Sequence, residues 1–247
     1  MNNYRFLLEY DGTRYNGWQR LGSTDNTIQA KLEAVLSRLA GQDVQVIGAG
    51  RTDAGVHAHG QVANAHFKTG LSEDEIKAYA NHYLPDDIRI LRTEIVPERF
   101  HSRYNASEKV YRYYVGTGEK APVFQRRYQY QFGEKPDLAA MQKAASLLCG
   151  THDFQSFCAN KHMKKSSVRS LYEIEMTEDK DAGRICFCYR GNGFLYYMVR
   201  ILTGTLLEVG MGKREAASMP ELLHACDRAK AGFTVPPQGL FLDEVRF

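Results

Sequence analysis

The feature that most constrains the fold of this chain is an order of periodicities that occurs twice. Residues 5–10 read as a strand. Residues 27–39 follow with Ile28, Leu32, Val35, Leu36 and Leu39 at the spacing of one helix face. Thr27 stands where an N-cap is wanted, and Gly41 where a helix ends. Residues 44–47 and 61–67 read as two strands. Residues 72–84 predict a helix opened by a capping box, Ser72 with Glu75 three positions on, and stopped by Pro85. Residues 88–96 are a fourth strand. The order is βαββαβ, that of the ferredoxin-like split motif. The second half repeats it. A strand at 110–115 and a helix at 138–148, introduced by Pro136-Asp137 and closed by Gly150, come first. Strands at 170–176 and 184–189 flank the polar turn 178–183, and a long helix at 194–209 precedes a last strand at 240–247. The expected fold is α+β, with two ferredoxin-like βαββαβ halves whose largely antiparallel sheets flank a central active-site cleft. The expected domains are residues 1–106, which carry the glycine-rich Asp loop, and residues 107–247, joined near 97–107.

At 247 residues the chain has room for one large domain or two small ones. Its five cysteines are odd in number and include no Cys-x-x-Cys pair. Cys186 and Cys188 would share one face of a strand. This usage points to reduced thiols in a cytoplasmic protein rather than a disulfide frame or a zinc site. The N-terminus has no apolar h-region, and no apolar run approaches the roughly 20 residues that span a bilayer, so no membrane is expected as a partner. The net charge is only +3, but it is unevenly spread. Between Phe154 and Tyr172 there is no acid, against Lys161, Lys164, Lys165 and Arg169. A second basic stretch holds Arg99, Arg103, Lys109 and Arg112 against Glu108 alone. A lone run of this kind is usually a solvated loop. Several runs, beside fifteen tyrosines and twelve phenylalanines, tilt the reading toward a nucleic-acid surface.

The segment richest in chemistry is Gly50-Arg51-Thr52-Asp53-Ala54-Gly55-Val56-His57-Ala58. In an extended chain Arg51 and Asp53 point to the same side. A single carboxylate beside a fixed cation stays ionised at neutral pH and serves as nucleophile or base. An aspartate in a glycine-rich loop is more often a turn residue bonding its own backbone, and Arg51 shifts the balance toward catalysis. Arg200 interrupts an otherwise apolar helix. It either snorkels to water or lies buried and pairs with Asp53, the reading preferred here. Tyr111 is either a packing residue of a strand or a stacking platform for a base. The loop from Asp11 to Gln19 is equally well an anchored turn around the only tryptophan, Trp18, or a flexible basic loop touching a nucleic-acid backbone. His57, His59 and His66 hint at a metal, but no further ligand is convincingly spaced, and no metal is expected. Neither a dinucleotide fingerprint nor a P-loop is present. Beside catalysis at Asp53, two other classes remain. One is a non-catalytic RNA-binding protein or chaperone. The other is a metal-dependent hydrolase built on His57, His59 and Asp53.

Seven motifs in order carry a resemblance. They are Asp11-Gly12-Thr13 through Gly17-Trp18-Gln19, the Gly50 to Ala58 segment, Phe100-His101-Ser102-Arg103-Tyr104 and Lys109-Val110-Tyr111-Arg112-Tyr113. His152-Asp153-Phe154 with Ser156-Phe157 follows, then Gly193-Phe194-Leu195 with Met198-Val199-Arg200, before Pro236-Pro237-Gln238-Gly239-Leu240. With them the chain resembles the tRNA pseudouridine synthase A family from end to end. The resemblance implies isomerisation of uridine to pseudouridine at nucleotides 38, 39 and 40 of the tRNA anticodon stem-loop. It implies no cofactor, a cytoplasmic homodimer, and one tRNA touching both subunits. By motif match Asp53 is the catalytic aspartate, Arg51 helps hold the flipped nucleotide, Tyr111 packs on the target base, and Arg200 pairs with Asp53. Tyr196-Tyr197 and Ile201 stand where many members carry histidines and an asparagine.

Overall fold

A computed structural model describes residues 1–160 and 165–247. Lys161 and Lys164 of the basic stretch lie outside the described residues. The elements in chain order are β1 (Asn2–Tyr10), α1 (Ile28–Ala40), β2 (Val46–Gly48), β3 (His57–Phe67), α2 (Glu73–Tyr83) and β4 (Ile88–Val96). They continue as β5 (Glu108–Gly116), β6 (Tyr130–Gln131), α3 (Leu138–Ser146), β7 (Gly150–Asp153), β8 (Val168–Asp179) and β9 (Arg184–Gly191). The last are α4 (Met198–Gly210), α5 (Met219–Ala225) and β10 (Leu240–Arg246). The chain divides into two compact units, Met1–Ser107 with Phe241–Phe247, and Glu108–Leu240.

In the first unit β1 pairs antiparallel with β3 on one side and β4 on the other, and β2 pairs antiparallel with β3. This is the split βαβ arrangement expected from the element order. Along β1 the period of two sets Tyr4, Phe6, Leu8 and Tyr10 inward. Ile28, Leu32 and Leu36 of α1 and Ile76 and Ala80 of α2 are buried, as their helical spacing requires. Both helices start where local chemistry starts them. The Thr27 hydroxyl accepts from Ala30 N–H, and Ser72 and Glu75 form a reciprocal capping box. Gly41 ends α1 at φ 66°, a value glycine takes without strain.

Chain order places residues 241–247 with the second half, yet they compact with the first unit. Phe241 and Leu242 pair in parallel with His57 and Ala58 at the start of β3. The Phe241 ring stacks with the rings of His57 and His59, with centroids 4.7 and 4.6 Å away. Both histidines therefore stack on one phenyl ring, and His59 Nδ1 also lies 3.0 Å from Asp243 Oδ1.

The basic segment after β4 is tied to this sheet by amides. Asn3 Nδ2 donates to the carbonyls of Pro97, Glu98 and Phe100, the last at 2.9 Å. Asn64 Oδ1 accepts from both the backbone N–H and the hydroxyl of Ser102, each at 2.9 Å, and Asn64 Nδ2 donates to Asn3. Arg99 and Arg103 stay exposed on this anchored frame.

In the second unit β5, β9, β8 and β7 form an antiparallel run, and β6 adds to β5 in parallel. The order β5, α3, β8, β9, α4 repeats that of the first unit, with β6, β7 and α5 as unpredicted additions. Cys186 and Cys188 do share a face of β9, both half-buried, and all five cysteines are free thiols. Residues 198–207 of α4 are buried on every side. No helix among the described residues is long and apolar enough to cross a membrane.

Replacing Asn64 by Ala removes the buried hub of this amide network. We expect a loss of about 1–3 kcal/mol in urea unfolding, with faster proteolysis between residues 97 and 107.

Candidate active site

The Asp loop joins β2 to β3 and is fixed by its backbone. Ala49 N–H donates to Val62 O at 2.8 Å, and the Gln61 amide donates to Gly50 O at 2.8 Å. Across from it, Trp18 N–H donates to Thr52 O at 3.0 Å, and Gly55 N–H to Tyr15 O at 3.3 Å. The loop is thereby held on one side by β3 and on the other by the segment after β1. Exposure alternates along it. Arg51 is exposed, Thr52 is 6% exposed, and Asp53 is half-buried. That is the alternation of an extended chain whose middle residue points inward. The inward hydroxyl of Thr52 shares a 2.8 Å hydrogen bond with Tyr10, whose phenol burial pushes well above its ordinary pKa and keeps protonated. After Asp53 the chain turns back through a bond from Val56 N–H to Asp53 O, with Gly55 at φ 77°. A turn that needs a positive φ at its third residue favours glycine there.

Glycines let the two loops touch. A Cβ on Gly17, at φ 91°, would meet Thr52 O at 2.7 Å and Ala54 N at 3.1 Å. A Cβ on Gly48 would meet the Trp18 ring at 2.5–2.7 Å. Trp18 itself is 2% exposed and lies beside Tyr10. Of the two readings of the 11–19 loop, the anchored turn is the one found. Its exposed Arg14 is bound to Asp87. Gly12 N–H donates to His57 Nδ1 at 3.1 Å. Among the described residues the Arg51 guanidinium makes no ion pair with Asp53 or another carboxylate, so the two share a loop without bonding to each other.

Tyr111 and Arg200 belong to the second unit. Tyr111 faces the same side of β5 as Tyr113, opposite Arg112 and Tyr114, and stands across from Tyr189 on β9. It is 6% exposed, and the Phe194 ring meets it edge-on at 5.0 Å. Tyr113 is fully buried and donates its hydroxyl to Pro236 O at 2.6 Å. Burial pushes its phenol well above the ordinary range, with Arg200 nearby opposing that shift in part.

Arg200 is 9% exposed, so its head does not snorkel into water. Its Nε donates to Val235 O at 2.8 Å, and Val235 N–H returns a bond to Arg200 O at 3.3 Å. The helix that carries it begins at Met198, four residues later than its apolar pattern predicted. The reason is Tyr197, which adopts φ 64°, a left-handed conformation that interrupts the helix. For a bulky residue this costs about 1–3 kcal/mol. The Tyr197 ring then lies 4.3 Å from the Arg200 guanidinium carbon. Tyr197 and Val235 escaped the sequence reading. Val235 acts through its main chain, which leaves no side-chain signal.

Arg169 of the other basic stretch donates to the carbonyls of Ser166 and Val168, and burial lowers its pKa. Lys165 is exposed. Among the described residues no three His, Cys, Asp or Glu side chains gather as ligands for a metal ion.

Residues 7–105 and 144–247 match the family described as tRNA pseudouridine synthase. The chain belongs to that family. It is 44% identical over 247 residues to tRNA pseudouridine synthase A of Bacillus sp. (strain KSM-64), covering 100% of both chains. It is 44% identical, again over 247 residues and 100% of both, to tRNA pseudouridine synthase A 2 of Bacillus anthracis. The tRNA pseudouridine synthase A 1 of Clostridium tetani (strain Massachusetts / E88) is 43% identical with the same coverage. Family membership makes the chain an enzyme, an isomerase. Arg51, Asp53 and Arg200 lie within the matched segments, and Tyr111 lies between them.

The contact between the two loops makes a direct prediction. Gly17→Ala drives a methyl into Thr52 O, so the Asp loop must shift. We expect isomerase activity to fall at least about tenfold with a stability loss of about 1–3 kcal/mol, read from initial rates and urea unfolding.

Proposed function

We propose that this enzyme isomerises uridine to pseudouridine at positions 38, 39 and 40 of the tRNA anticodon stem-loop, with Asp53 as the catalytic carboxylate. The observation that carries the reading is the Asp loop. It is clamped by backbone hydrogen bonds on both sides, yet leaves Asp53 outside the core. A catalytic group needs that rigidity, because small misplacements are costly in rate.

The target base must first leave the stem, which costs a few kcal/mol. The exposed Arg51, Arg99 and Arg103 suit an RNA backbone, and Arg51 is the proposed holder of the flipped nucleotide. Tyr111 is proposed to pack on the base and replace lost stacking. The C1′–N1 bond then breaks, the uracil turns, and C5 bonds to C1′. N1 takes up a proton and C5 gives one up, with Tyr111 as the candidate base for that last step. Asp53 initiates by attacking C1′ or C6, or by removing a sugar proton to give a glycal. We further propose that Arg200 pairs with Asp53 and keeps it ionised. The enzyme is proposed to act as a cytoplasmic homodimer without cofactor, one tRNA touching both subunits.

The test is tritium release from tRNA transcripts labelled at uracil C5, with EDTA present. Wild type is expected to release tritium, and Asp53→Asn to release none while still binding tRNA. Binding without release by wild type, on every tRNA with a uridine at 38, 39 or 40, would leave an RNA-binding protein. Release by Asp53→Asn at the wild-type rate would remove the carboxylate from the chemistry.

A further inference from the structure

We propose that Tyr197 is a positioning residue for the Arg200 guanidinium, its ring holding the plane of that cation. The proposal rests on the isomerase reading above. Tyr197 stands immediately before α4 at φ 64° and ψ 6°. A bulky side chain is an outlier in that region, where glycine and asparagine are at ease. Starting the helix does not require a tyrosine, since its side chain makes no capping hydrogen bond. Only its carbonyl serves the helix, accepting from Ile201 N–H at 2.9 Å, and any residue supplies a carbonyl.

What the tyrosine alone supplies is its ring. The guanidinium carbon of Arg200 lies 4.3 Å from the ring centroid, and Tyr196 stacks against Tyr197 at 3.9 Å with 28° between the planes. Tyr196 is itself tied back through its carbonyl, which accepts from Ala159 N–H at 3.1 Å. The Arg200 Nε is meanwhile bound to Val235 O. A planar guanidinium held at Nε and covered on one face has little rotation left, so the directions of its remaining N–H groups are set. The backbone strain at Tyr197 and the fixed cation thus meet in one turn of chain, and the strained dihedral is what brings the ring over the cation.

The experiment compares wild type, Tyr197→Phe and Tyr197→Asn by steady-state kinetics on tRNA transcripts and by thermal melting. Tyr197→Phe keeps the ring and is expected to keep kcat and KM. Tyr197→Asn relieves the backbone and removes the ring. It is expected to melt no lower than wild type while kcat falls about tenfold, the size of one such contact in a desolvated site, with KM unchanged. A merely structural tyrosine gives a different pattern. Tyr197→Asn would then melt lower and lose activity in step, which overturns the proposal. Wild-type kcat in Tyr197→Asn also overturns it, as does an equal loss in Tyr197→Phe. These failures differ from failure of the functional reading, in which wild type itself releases no tritium and both readings fall.

Discussion

The hydrogen bond from Trp18 N–H to Thr52 O is the constraint on which the rest of the first unit depends. It requires two main chains to run side by side just outside the sheet. That is only feasible with glycine at position 17, whose missing Cβ leaves room for the Thr52 carbonyl. The same closeness at Gly48 lets the Trp18 ring sink against β2. A buried indole makes an expensive contact to give up, with burial alone worth a few kcal/mol. The loop that carries Arg51 and Asp53 is therefore tied to the core by its own backbone. Its Arg51 side chain stays exposed on that fixed frame.

The identity of the residues that face outward follows from the one that faces in. Thr52 binds the buried Tyr10 hydroxyl, and in an extended chain this sends its two neighbours away from the core. Arg51 and Asp53 sit at those positions without pairing to each other. An ion pair between them would take the Arg51 charge away from RNA. On the reading proposed above, the absence of that pair keeps the Arg51 cation for phosphate.

Much of this was legible in the residues. The caps at Thr27 and at Ser72 with Glu75 are local chemistry, and the helices begin there. Strand 88–96 has the predicted ends, because Pro85 and Pro97 bracket it. What escaped depends on distant contacts or on short elements. β7 has four residues and α5 seven, too few for a period to declare itself. The start of α4 escaped because residues 194–197 are as apolar as the helix, while the break is a backbone dihedral. The partnership of β10 with β3 is a long-range pairing that element order does not encode. Asp53 and Arg200 stood out as charges in unusual company, whereas the Val235 carbonyl had nothing to mark it.

Arg200 is the most costly choice in the second unit. It is the third residue of α4, where unpaired backbone N–H groups and the helix dipole disfavour a cation. It is also nearly buried, in a helix whose neighbouring positions are all apolar or small. A leucine would satisfy the packing with none of these penalties. Among the groups that offset them are the Val235 carbonyl at Nε and the Tyr197 ring over the face. The adjacent Tyr113 phenol is kept protonated by burial. A chain that buries a cation, orients it and strains its own backbone beside it has spent stability on that charge. On the mechanism proposed above, such a charge serves the reaction rather than the fold.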